Sequence, residues 1–201
     1  WAFQKIQRPE LPKLLGTLQV ENGIDHFIGA KLAASELTFS PRAANATLLR
    51  RATLDLTGLP PTQDSLREFK NSTNPAAYEE LVDQLLGSAS YGERWGRHWL
   101  DAAGYADSEG YTDSDAPRPW AFKYRDYVIA SFNKDKPYNQ FIVEQLAGDE
   151  LIGKPLENLT QQQQELIVAT GFLRNAPDGT GSGAATEEGR NAVISETIKQ
   201  V

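Results

Sequence analysis

Four polar side chains fall on one narrow strip of a predicted helix: Arg94, His98, Asp101 and Tyr105, within SYGERWGRHWLDAAGY (90–105). At roughly 100° per residue that strip is only about 60° wide. A histidine with a carboxylate at i+3 and a guanidinium at i−4 can have its tautomer fixed and its pKa tuned. A general base or proton relay needs that arrangement. Arg97 lies further round, four residues before Asp101 and within pairing reach. Trp95, Trp99, Ala102 and Ala103 form the adjacent apolar face. The same residues suit a buried network tying this helix to its neighbours, and no Ser, Thr or Cys stands in an activating context. A hydrolase or proton-transfer enzyme using His98 with Asp101 or Asp107 is one reading; a structural network is the other. A glycosidase pair of Asp101 and Asp107 would have to face one cavity, about 5–5.5 or 6.5–9.5 Å apart. His26 projects opposite Ile24, Phe27 and Ile28 and is expected at the surface.

The second constellation is ADSEGYTDSDAPR (106–118), where Asp107, Glu109, Asp113 and Asp115 follow one another without an intervening base. Carboxylates alternating around a glycine suit a hard cation such as calcium, which takes 6–8 oxygens. The spacing is not that of an EF-hand, because Arg118 stands where the twelfth-position glutamate belongs. A solvated acidic loop is the plainer reading. The neighbouring aromatics offer a third: Tyr105, Tyr111, Trp120 and Tyr124, beside Asp107 and Asp113, could line a carbohydrate cleft. Rings present apolar faces to sugars while carboxylates accept hydroxyl hydrogen bonds. Aromatics at helical spacing also suit a core.

Composition narrows the classes. The chain has 201 residues, no cysteine, no methionine, two histidines and a net charge of −7. Lack of cysteine excludes a disulfide, a thiolate metal site and covalent haem in this chain. Residues 61–150 carry nine basic and sixteen acidic groups, so the acidity is concentrated there. With no basic cluster beyond Arg50-Arg51, nucleic acid is a poor partner. No apolar run reaches the roughly 18 residues that span a bilayer. A chain starting at Trp1 without an initiator methionine is expected to be a processed or excised piece.

The elements that must position these residues read as helices almost throughout. An extended arm over 1–21 precedes a single helical domain over 22–201. Asn22 caps a helix to about Leu37, and Ser40-Pro41 opens a second that Gly58 ends. Thr62 caps a third, and Asn74-Pro75 starts a fourth that stops at Gly87. Further helices are predicted over 91–104, 119–133, 138–147, 160–173 and 187–200, the last amphipathic. The helix over 119–133 is apolar on both sides, with Trp120, Tyr124, Tyr127 and Val128 opposite Phe122, Ile129 and Phe132, as in the centre of a bundle. Polar loops interrupt at about 105–118 and 175–186. The fold class is all-α, an irregular multi-helix bundle.

Three strings occur in order: RRATLDLTGLPPT (50–62), SYGERWGRHWLDAAGYADSEGY (90–111) and YRDYVIASFNKDKPYNQFIVEQLAGDEL (124–151). Together with WAFQ, NGIDHFI and ATGFLRNAP they closely resemble the domain of unknown function of the large planctomycete cytochrome-c-like (PSCyt-type) proteins. The matching polar positions are Arg94, Arg97, His98, Asp101, Tyr105, Asp107, Arg125 and Asp149. The family usually has arginine at the position of Gly104. The resemblance implies a multidomain parent exported to the periplasm or outside the cell, its signal segment lying outside this chain. It places a haem c motif after residue 201, so this portion ends before the cysteines and holds no cofactor, calcium in the 107–115 loop excepted. The implied role is a ligand-binding or structural module of an extracytoplasmic redox or polysaccharide-processing system. Its partners would be the parent's other domains and a polysaccharide. Ligand contacts would fall to Arg94, Arg97, Tyr105, Tyr111, Trp120, Tyr124 and Arg125.

Overall fold

A computed structural model of the chain describes residues 4–14, 20–108, 115–153, 156–175 and 186–200. Among them the secondary structure is helical, with one isolated antiparallel bridge between Ser108 and Pro117. The fold is all-α, as the periodicity predicts. Contacts divide the chain into two compact units, Trp1–Ala44 and Asn45–Val201.

The first unit holds one helix, α1 (Gly23–Ala34), started by a capping box between Asn22 and Asp25. Its exposed face is not the expected one. Ile24, Phe27 and Ile28 are 68%, 38% and 45% exposed, while His26 is half-buried with Nδ1 3.1 Å from the Pro12 carbonyl oxygen. The preceding arm causes this reversal. Gly29, one turn from His26, leaves room for Leu14, whose Cδ1 lies 3.1 Å from where a Cβ would stand.

The second unit carries α2 (Asn45–Thr57), α3 (Gln63–Asn71), α4 (Ala77–Leu86), α5 (Ala89–Ala102), α6 (Ala121–Asn133), α7 (Tyr138–Ile152), α8 (Gln161–Ala169), a 3-10 turn (Thr170–Arg174) and α9 (Glu187–Gln200). α2 begins at Asn45 rather than at Ser40-Pro41, and the Asn45 amide donates to the Phe69 carbonyl of α3. Thr62 and Thr160 cap α3 and α8 through their hydroxyls, as Ser/Thr before an apolar run predicts. α7 runs past the expected end at Ala147, but that residue leaves helical geometry at φ −145°, ψ 28°. The sequence signal for a stop there is realised as a kink.

α5 and α6 form the central pair. They approach so closely that a Cβ on Gly92 would sit 2.4 Å from the Ile129 carbonyl oxygen. The Gly92 amide instead donates to Asn133 Oδ1 at 2.7 Å, and Asn133 Nδ2 returns a bond to the Ala89 carbonyl. Around this pair lies an aromatic core of Leu100, Ala103, Tyr124, Tyr127, Val128, Phe141, Ala169 and Phe172. Burial of such side chains contributes roughly 1.5–3 kcal/mol each. α6 is buried on one side only at its N-terminal end, where Trp120 and Phe122 stay 68% and 39% exposed. α9 packs against the 3-10 turn and leaves Ile194 and Ile198 exposed.

Candidate ligand-binding cleft

The polar strip of α5 divides in the fold. His98 and Asp101 are exposed, and no hydrogen bond joins His98 to Asp101 or Arg94 among the described residues. Asp101 faces Arg97 at 3.8 Å with both side chains about 70% exposed, and the His98 ring lies 5.3 Å from that of Trp95. Arg94 turns the other way, under Gly58, with its Nε buried and unpartnered among the described residues. Trp99, from the face assigned as apolar, belongs to the core.

α5 ends in a cap that sends the chain toward Tyr105. Gly104 has φ +64°, and the Tyr105 amide donates back to the Leu100 carbonyl. A left-handed cap of this kind is strained for a side chain such as arginine. The Tyr105 hydroxyl donates to Asp107 Oδ1 at 2.6 Å. Burial first, and then the Asp107 carboxylate, push its pKa up to about 12. The Asp107 carbonyl accepts from the Arg118 amide at 2.7 Å, next to the Ser108–Pro117 bridge. Tyr105 and Asp107 thus brace the start of α6. Arg125 leans on Asp126 through Nε and Nη2, which raises its pKa. Glu109, Tyr111 and Asp113 lie outside the described residues. Asp115 is exposed at φ +40°. Among the described residues no group of three or more His, Cys, Asp or Glu side chains is placed to hold a metal ion.

The braced segment forms one wall of a cleft of about 480 Å³. Arg118, Trp120, Lys123 and Tyr124 line it from the α6 side, and Val168, Arg174 and Asn175 from α8 and the 3-10 turn. Sites for small ligands run from about 300 to 1,000 Å³, and this cleft lies within that range. Trp120 is the exposed platform, with Lys123 Nζ 4.9 Å from its ring centroid. Tyr124 is buried, and burial raises its phenol pKa above the ordinary range. Its hydroxyl donates to Gln145 Oε1 at 2.6 Å, which also accepts from Trp99 Nε1 at 2.9 Å. Asn175 is 9% exposed, and its Nδ2 has no partner among the described residues. Of the residues read as ligand-binding, Trp120 and Tyr124 meet in this cleft. Neither it nor a groove of about 470 Å³ between α2, α3 and α4 is lined by His98, Asp101 or Asp107.

A family model described as PSCyt2, a protein of unknown function (DUF1549), matches residues 23–201. The chain belongs to this family. No curated protein and no solved structure matches it.

One group of residues in this PSCyt2 domain carried no sequence signal of its own. Arg118, Arg174 and Asn175 are brought together only because the 3-10 turn packs on α6. Glu144 and Gln145 had a signal that points the wrong way: they look like the solvated side of α7, yet they are 5% and 1% exposed. Glu144 accepts from the Tyr127 hydroxyl at 2.7 Å, from Gln140 Nε2 at 2.7 Å and from Lys136 Nζ. Burial would raise its pKa, but these three donors outweigh it and hold the carboxyl below its ordinary value.

Proposed function

We propose that this PSCyt2 domain is a non-catalytic ligand-binding module that takes a sugar ring in the α6–α8 cleft. The observation that carries the reading is Trp120, a large ring left 68% exposed at the mouth of a cleft whose floor is a buried tyrosine. Exposed aromatics of this size in a concavity offer apolar contact to a ring face, and polar groups around them orient it. Catalysis is the weaker reading: His98 and Asp101 are solvated and line neither large cavity, so nothing excludes water or positions a substrate beside them. Export, and service to a redox or polysaccharide-processing parent, rest on the resemblance to cytochrome-c-like proteins.

A panel of neutral and acidic oligosaccharides titrated against the chain, read by tryptophan fluorescence and calorimetry, tests the reading. At least one is expected to bind, and Trp120→Ala should weaken it by about tenfold, the scale of one well-packed aromatic contact. Trp120 is exposed, so the variant should melt as the parent does. Silence across the panel, or affinity unchanged in Trp120→Ala, defeats the assignment.

A further inference from the structure

We infer that a second cavity, walled by aromatic rings between α5, the end of α6 and the start of α7, takes the head of an alkylammonium cation such as choline. It measures about 210 Å³ and shares no lining residue with the α6–α8 cleft, so the inference stands apart from the sugar reading. Tyr91, Trp99, Phe132, Tyr138 and Phe141 form its walls. Sites for whole small molecules run from about 300 to 1,000 Å³, and a smaller cavity suits a head group.

Rings at steep angles make a cage rather than a stack. Tyr138 and Phe141 stand at 80° and 65° to Trp99, with centroids 6.3 and 4.9 Å away, and Phe132 stands at 76° to Phe141. Trp99 is held in place, because its Nε1 donates to Gln145 Oε1 at 2.9 Å and to the Tyr124 hydroxyl at 3.0 Å. Ring faces carry negative potential, and a cation within about 6 Å of a centroid is attracted to it.

Charge decides between a cation and a neutral apolar guest. Lys136 and Asp135 bring formal charges to the lining. The Lys136 ammonium is already matched, by Glu144 and by the Tyr127 ring, whose centroid lies 4.6 Å from Nζ. Asp135 is exposed, and its carboxylate has no hydrogen bond or ion pair among the described residues. It also sits where the fold gains nothing from it. Its backbone is left-handed at φ +47°, just past the C-terminus of α6, whose dipole disfavours an anion. A cation held at the mouth of the cage relieves that repulsion, and a neutral guest does not.

Calorimetry and ligand-observed NMR on the chain with choline, tetramethylammonium and dimethylbutanol, the uncharged carbon isostere of choline, test this. Choline and the isostere differ in charge and hardly in shape, and choline is expected to bind about fivefold tighter or better. Tyr138→Ala, at a residue 70% exposed, should weaken both cations severalfold. Asp135→Asn should weaken the cations severalfold and leave the alcohol unchanged. It should melt no lower than the parent, because asparagine tolerates left-handed backbone. Trimethyllysine amide run beside choline tells a protein side chain from a free small cation, and tighter binding of either supports the cage. Failure of all the cations to bind overturns the inference, as does equal affinity for choline and the alcohol. Cation affinity unchanged in both variants places the site elsewhere and overturns it too. A lower melting temperature in Asp135→Asn means that the carboxylate serves the fold, and overturns the role given to it.

Discussion

Two charged pairs of the same kind, one on α5 and one reaching into α7, come to opposite ends. On α5, Arg97 and Asp101 meet at 3.8 Å with side chains 71% and 69% exposed. Between the turn that precedes α7 and the middle of that helix, Lys136 and Glu144 meet with side chains 15% and 7% exposed. The first pair sits in the segment whose residue types most suggest chemistry; the second lies in a stretch where no chemistry was read from the sequence. Charge in the sequence marks neither site nor surface by itself. What decides is whether the surrounding packing supplies every donor and acceptor. Glu144 has three donors and Gln145 bridges Trp99, Tyr124 and the Phe141 carbonyl, so both can be sealed. Val143 and Leu146, on the other side of α7, are left 49% and 40% exposed.

The contrast is broken or sharpened most directly at Glu144. Glu144→Ala leaves Lys136 charged and the Tyr127 hydroxyl without its acceptor, and should cost about 3–5 kcal/mol by denaturant unfolding. Asp101→Ala in the same assay should cost less than about 0.5 kcal/mol. Similar losses for the two would abolish the distinction. Gln145→Leu is next in size. It keeps the volume but removes the acceptor of the Tyr124 hydroxyl, an expected loss of about 1–3 kcal/mol with a changed near-UV spectrum from Trp99.

Acid should attack the buried region first. Donors from Lys136, Tyr127 and Gln140 hold Glu144 below its ordinary pKa of 4.5. The native state therefore favours the ionised form, and this stabilisation is complete above about pH 4.5 and is lost as pH falls through the depressed value. Melting curves in that range should show wild type losing stability more steeply than Glu144→Gln, which has nothing left to titrate there. Parallel curves would mean that the carboxylate is not held as described. At the alkaline end the sign reverses, because burial raises the phenols of Tyr105, Tyr124 and Tyr127 above 10.0. Their neutral forms are favoured in the fold, so stability declines as pH climbs past 10.

Helices and their caps were legible because they rest on local physics. Asn22, Thr62 and Thr160 accept from backbone amides two or three residues on, and a sequence shows that spacing directly. The faces of helices were legible only where packing followed hydrophobicity. In α1 a small residue, Gly29, drew the arm to the polar side; in α7 the pair Glu144-Gln145 outcompeted Val143 and Leu146 for the core. Trp120 and Tyr124 could be named from sequence as cleft residues because they are aromatic and one turn apart. Arg118, Arg174 and Asn175 could not, since only the tertiary contact of the 3-10 turn with α6 brings them to the same cleft.

The smallest effect is the most informative about α5. If Arg97 and Asp101 are simply solvated, a double-mutant cycle with Arg97→Gln and Asp101→Asn should give a coupling of about 0.3–0.5 kcal/mol, the range of exposed i,i+4 pairs. It should vanish by about 1 M salt, where screening acts within roughly 3 Å. Both side chains keep most of their hydration, so little is gained when they meet and little is lost when they part. A coupling well above about 1 kcal/mol, persisting in salt, would require that something desolvates this strip in solution. His98 and the partly exposed Trp95 would then lie in a contact surface, and the difference between α5 and α7 would be one of partners rather than of packing.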